Sequence, residues 1–127
     1  MDTVKEIRGV KVLTCGADGA RLEGERDIGS FLGDAWAADA GMVAIPVARI
    51  SADFFKLSTR LAGEVAQKFV NYRVQLAIIG DISPWLAESK ALRDFVYESN
   101  RGQALWFLDD MAALEERLAP APASPSG

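Results

Sequence analysis

The sequence predicts an α/β protein of ββαβαβαβα order, with a mostly parallel central sheet and flanking helices. Three observations carry this prediction. Short apolar runs recur at 42–46, 74–79 and 105–108. A stretch with helical apolar spacing precedes each of them. Two short β-rich runs open the chain, separated by the turn-forming pair Arg8-Gly9. Alternating strands and helices imply a parallel sheet, and strand twist makes its crossovers right-handed.

In the opening hairpin, Val10, Val12 and Thr14 alternate with Lys11 and Leu13. Gly16-Ala17-Asp18-Gly19 is a loop signal. A first helix is expected from an N-cap at Asp27 to about Ala40, with Gly41 beyond it. Ile28, Phe31, Leu32 and Ala35 form its apolar stripe, and the small Gly29 and Gly33 suggest close packing on the sheet. Met42-Val43-Ala44-Ile45-Pro46 reads as a buried strand. A second helix is expected from Ser58 to Tyr72, its stripe being Leu61, Ala62, Val65, Ala66 and Phe69. The nearly continuous apolar run 74–79 is typical of a strand covered on both faces. Ser83-Pro84 reads as a break, followed by a third helix over 89–100 and a stop at Gly102. Leu105-Trp106-Phe107-Leu108 is a strand, and Asp109 or Asp110 caps a last helix to Leu118. One domain over 1–118 is expected. The Pro/Ala/Ser stretch 119–127 cannot pack a core and reads as a disordered tail.

Composition narrows the chemistry. A chain of 127 residues that is 50% hydrophobic and 25% charged is globular and the size of one domain. It contains no histidine and one cysteine, Cys15. That removes Ser-His-Asp and Cys-His catalysis and the usual Cys/His zinc sites. No metal and no cofactor is expected. The net charge of −4 disfavours nucleic acid and anionic membrane surfaces as partners, since both are bound through Lys and Arg. No apolar run reaches the length of a membrane span, the first residues lack a secretory h-region, and the lone cysteine cannot form an internal disulfide. A cytoplasmic protein is the expectation.

Two segments carry more polar detail than packing requires. One runs from Asp53 through Phe54, Phe55, Ser58, Thr59 and Arg60, between the third strand and the second helix. Ligands bind α/β sheets at the carboxyl ends of their strands, and helix N-termini attract anions. In the plainer view the two Phe residues anchor a loop and Ser58 caps the helix. The other segment contains Arg93, Asp94 and Glu98. Asp94 and Glu98 lie one helical turn apart and could bind a cation or act as an acid/base pair, although Lys90, Arg93 and Arg101 are placed to neutralise them. Asp81 follows the strand at 74–79 and completes the set. No residue is singled out as catalytic. Trp36, Trp85 and Trp106 are a large aromatic content for this size, and Trp85, in an expected loop, suggests a homodimer contact.

Asp53-Phe54-Phe55, Leu61-Ala62-Gly63-Glu64, Gln67-Lys68-Phe69, Asn71-Tyr72-Arg73-Val74, Ile79-Gly80-Asp81, Leu92-Arg93-Asp94-Phe95 and Tyr97-Glu98-Ser99-Asn100 resemble the bacterial family named domain of unknown function 4180. That resemblance implies no activity and no catalytic residues. More distantly, the element order resembles STAS domains, in which regulators carry a phosphorylated Ser or Thr where Ser58-Thr59 stands. Here Leu57 and Arg60 replace the flanking Asp and Gly of the STAS pattern. The resemblance implies a non-enzymatic regulatory or interaction module with an unidentified protein partner. The alternative is an enzyme or small-molecule binder with a polar pocket at the strand ends.

Overall fold

The structure, a computed structural model, describes residues 2–118. Its first two strands, β1 (Thr3–Ile7) and β2 (Val10–Thr14), form an antiparallel hairpin. The connecting Arg8 and Gly9 both have positive φ, 51° and 82°, which suits a tight turn whose twist matches the strands it joins. Strands β3 (Met42–Pro46), β4 (Gln75–Ile79) and β5 (Leu105–Leu108) then add in parallel, so the five-stranded sheet has the order β1-β2-β3-β4-β5. The fold is the expected mostly parallel α/β sheet. The tail expected over 119–127 lies outside the described residues.

Sequential order with crossovers of one hand puts every crossover helix on the same face. These are α1 (Glu25–Ala37), α2 (Leu61–Asn71), α3 (Ser83–Glu88) and α4 (Lys90–Arg101). Ile28 and Phe31 of α1, Val65 and Phe69 of α2 and Leu92 of α4 meet Leu13, Val43, Ile45, Leu76, Ile78 and Phe107 of the sheet in one core. The alternate side chains Val12, Met42, Ala44, Ala77 and Trp106 point the other way, into a second, smaller core under Leu114 of α5 (Met111–Leu118). Strand β4 is interior, with Leu76, Ala77 and Ile78 buried, as expected of a strand covered on both faces.

Element boundaries depart from the sequence reading for local reasons. Asp27 is not the N-cap of α1. Gly24 is, and the Asp27 carboxylate reaches back to accept from the backbone N–H groups of Glu23 (3.0 Å) and Gly24 (3.1 Å). Gly29 and Gly33 lie on the exposed side of α1, away from the sheet. Helix α2 starts at Leu61 rather than Ser58, because residues 57–59 form a separate 3-10 turn. Ser83-Pro84 opens α3 instead of breaking the chain, since proline is tolerated in a first helical turn. Trp85 is therefore helical, and its ring stacks on Phe55 at 4.3 Å and 17°. Trp106 is buried, donating from Nε1 to the Gly102 carbonyl (2.8 Å) beneath the Arg117 guanidinium.

Candidate functional site

Past the carboxyl end of β3 the chain makes three 3-10 turns, Val47–Arg49, Ala52–Phe55 and Leu57–Thr59. Ser51 caps the middle turn by accepting from the Asp53 N–H (3.2 Å). Phe54 and Phe55 are 0% and 3% exposed and meet edge to face at 5.2 Å. They hold the loop from beneath, as the plainer view of the sequence has it, and so drop out of the candidate partner surface.

Thr59, not Ser58, organises the start of α2. Its hydroxyl shares one proton between the carbonyls of Asp53 (2.6 Å) and Lys56 (2.8 Å), and its oxygen accepts from the Leu61 N–H (3.3 Å). Arg60 occupies the N-cap position in a left-handed conformation, φ 67°. Its carbonyl accepts the Glu64 N–H at 3.0 Å. Ser58 is exposed at the rim.

Asp81, just past β4, accepts from both the N–H (2.9 Å) and the hydroxyl (2.6 Å) of Ser83. These two bonds hold its carboxyl below the usual carboxylate range. Arg93 donates to the Leu86 carbonyl (2.6 Å), tying α4 to the end of α3. Asp94 pairs with Lys90 at 2.9 Å, one turn away and in water. Glu98 is exposed on the next turn of α4.

The candidate residues are thus divided. Phe55 and Ser58 line a 380 Å³ groove with Lys56, Trp85, Glu88 and Ser89, floored by the stacked Phe55 and Trp85 rings. Arg60 lines a different groove, between α2 and Phe95. Asp81, Arg93, Asp94 and Glu98 line neither. The polar groups of the sequence set do not converge on one point where a reacting atom could sit. Among the described residues, no group of three or more His, Cys, Asp or Glu is placed to hold a metal ion.

A family profile described as "Domain of unknown function (DUF4180)" matches residues 7–118. The chain belongs to that family. No curated protein and no solved structure matches it. The DUF4180 match spans every strand from β2 onward and all five helices, so both cores and all of the fold but the first strand lie within it.

Two features of this DUF4180 domain escaped the sequence reading. The first is Arg49, 4% exposed at the carboxyl end of the sheet. It pairs with Asp2 at 2.8 Å and donates to the carbonyls of Ala20 (2.9 Å) and Gly16 (3.4 Å), over the Phe31 ring. Beside it the Cys15 thiol is pushed up to about 12, by burial first and then by Asp2. That thiol stays protonated and is no nucleophile. A lone Arg within the otherwise uncharged stretch 42–52 was the available signal. The second feature lies on the outer face of the helical layer. Trp36 is 84% exposed and Tyr72 63%, flanking a 450 Å³ groove between α1 and α2 with Ile28, Gly29, Leu32 and Gly33 along it. Its signal was a Trp falling outside the apolar stripe of α1. No helix among the described residues is long and apolar enough to cross a membrane.

Proposed function

We propose that this chain is a non-enzymatic regulatory module of STAS-like shape that works in the bacterial cytoplasm by binding protein through the outer face of its helical layer. The observation that carries this reading is the open α1–α2 groove with Trp36 and Tyr72 at its sides. Large aromatic side chains left in water beside a concave apolar surface mark contact sites, because covering them recovers hydrophobic free energy. The polar candidates lend support from the other side. Asp81, Arg93 and Asp94 are each engaged in a local bond that shapes or charges a helix. The Asp81 carboxyl and the Cys15 thiol are shifted away from neutral pH, one down and one up, where neither exchanges protons usefully.

The groove floored by Phe55 and Trp85 favours a second reading, a small-molecule binder. It lies past the carboxyl ends of β3 and β4, where α/β sheets hold ligands, and carries Lys56, Ser58 and Glu88 around an aromatic floor. Affinity capture from the native cell separates the two. Wild-type chain, Trp36→Ala/Tyr72→Ala and Trp85→Ala are compared under one protocol. The interaction reading expects a protein retained by wild type and Trp85→Ala but lost with the double variant. Identical retention by wild type and the double variant would overturn it.

A further inference from the structure

We infer that the α1–α2 groove is occupied by the same groove of a second copy of this chain, with the two α1 helices antiparallel across a two-fold axis. The inference rests on the reading that this face binds protein, and it names the partner. A two-fold contact requires a surface that is complementary to itself after reversal. The outer face of α1 meets that requirement in shape and in charge.

Shape comes from a projection and a hole on one helix. Trp36 projects from the C-terminal turn, 84% exposed. Gly29 and Gly33 lie one and two turns earlier on the same side, and a side chain added at either would meet nothing within 4 Å. Antiparallel pairing centred midway between Gly29 and Trp36 lays each indole over the partner's Gly29, sets the two Gly33 residues beside the axis and lets the helix backbones approach closely. The glycines cost the helix up to about 1 kcal/mol each relative to Ala. On an exposed helix face, packing within one chain gives no reason for them.

Charge follows the same reversal. The groove has an acid, Glu25, at the N-terminal end of α1 and a base, Lys68, near the C-terminal end of α2. Both helices join parallel strands and run the same way, so these charges lie toward opposite ends of the groove. Reversal brings each Glu25 to the partner's Lys68. It also brings Arg26, in the first turn, toward the partner's Asp39 just past the C-terminal end of α1, an end whose last turn holds no basic residue. Parallel stacking would set like against like. A heterologous partner would gain nothing from a match between the two ends of one groove.

Sedimentation velocity of the full chain tests the inference. Wild type is expected to sediment as a dimer at micromolar concentration, and a monomer there overturns it. Trp36→Ala should weaken the dimer about tenfold or more. Gly29→Leu should do the same while raising the midpoint of thermal unfolding measured on the monomer, because Leu favours helix and its side chain has open space. Retained dimer in Gly29→Leu overturns the assignment to this face. Glu25→Lys and Lys68→Glu should each weaken association, and the double variant should restore it. Weak singles without restoration overturn the antiparallel register. The interaction reading fails separately: a monomeric wild type that still loses a captured protein on Trp36→Ala/Tyr72→Ala overturns the self-pairing alone.

Discussion

The carboxamide of Asn100 pairs with both backbone groups of Phe107. It accepts from the Phe107 N–H at 2.7 Å and donates to the Phe107 carbonyl at 3.3 Å. Phe107 lies on β5, the edge of the sheet opposite the hairpin. A side chain from the end of α4 thus takes the place of a neighbouring strand. The carbonyl of Asn100 is in turn held by Arg117 of α5, whose guanidinium also lies 4.2 Å above the Trp106 ring. Edge strands left open are templates for pairing with other chains, and this one is blocked where it is most apolar.

Removing that amide should cost stability and solubility together. Asn100→Ala leaves an N–H and a carbonyl of a buried residue without partners, worth about 1–3 kcal/mol. Chemical denaturation should show a loss in that range. Asn100→Asp, which keeps the acceptor and loses the donor, should fall between Ala and wild type. Light scattering on warming should show aggregation beginning earlier for Asn100→Ala.

The start of α2 separates two neighbouring hydroxyls. Thr59→Val removes bonds to Asp53, Lys56 and Leu61 at nearly constant shape, and should destabilise by about 1 kcal/mol. Ser58→Ala should stay within about 0.5 kcal/mol of wild type, as exposed substitutions do. Equal effects of the two in urea unfolding would contradict the assignment of Thr59 as the organising residue. Ser58 is also the hydroxyl a kinase would reach, so a Ser58→Asp change that alters partner capture without altering stability would add a regulatory site.

Cys15 makes stability depend on pH in one direction. Its thiol titrates at about 12 in the folded chain against an ordinary 9.0. Between those values the folded state holds a proton that the unfolded state has released. The contribution is therefore intact below pH 9 and is lost as pH rises toward 12. Unfolding midpoints should fall across that window in wild type and fall less in Cys15→Ala. Alkylation by iodoacetamide at mildly alkaline pH should be slow in the native protein and fast in denaturant.

Arg49 should be the costliest polar residue to remove. Arg49→Met leaves Asp2 without its cation and the Ala20 carbonyl without its donor. A loss of about 3 kcal/mol is expected, at the low end for a broken buried pair because Asp2 retains some contact with water. Gly19→Ala should reproduce part of this effect. Its φ is 129°, and a Cβ there would stand 2.8 Å from the guanidinium. Thermal denaturation of both variants measures the pair.

Periodicity made the architecture legible and left the polar site illegible. The runs at 42–46, 74–79 and 105–108 announced parallel strands because burial on both faces excludes polar residues, and all three are strands. Phe54 and Phe55 were ambiguous because two adjacent aromatics in a loop look the same whether the turn directs them inward or outward. The turns that carry both rings inward are held by Ser51 and Thr59, which bond to the backbone of Asp53 two and six residues away. Asp81 and Arg93 looked available because the sequence does not show that Ser83 and the Leu86 carbonyl occupy them. Gly29 and Gly33 were assigned to the wrong side of α1 because smallness says only that something can approach closely. Which side it approaches is set by the placement of Ile28, Phe31, Leu32 and Ala35.

The strand order bears on how the chain acquires its structure during synthesis. Each strand joins the sheet beside the one translated immediately before it, so an emerging β3 finds β2 in place and an emerging β4 finds β3. Pairing never waits for a strand further along the chain, and each addition closes a single crossover rather than a longer loop. The helical side can thus consolidate one strand-helix unit at a time from the ribosome outward. The other side cannot. Val12, Met42, Ala44 and Ala77 have no cover until α5 folds back across them, so a growing chain carries that apolar surface bare until its final described helix emerges. A ribosome stalled before residue 111 would display a sheet with one finished face and one adhesive face, and nascent-chain chaperones would be expected to bind the latter.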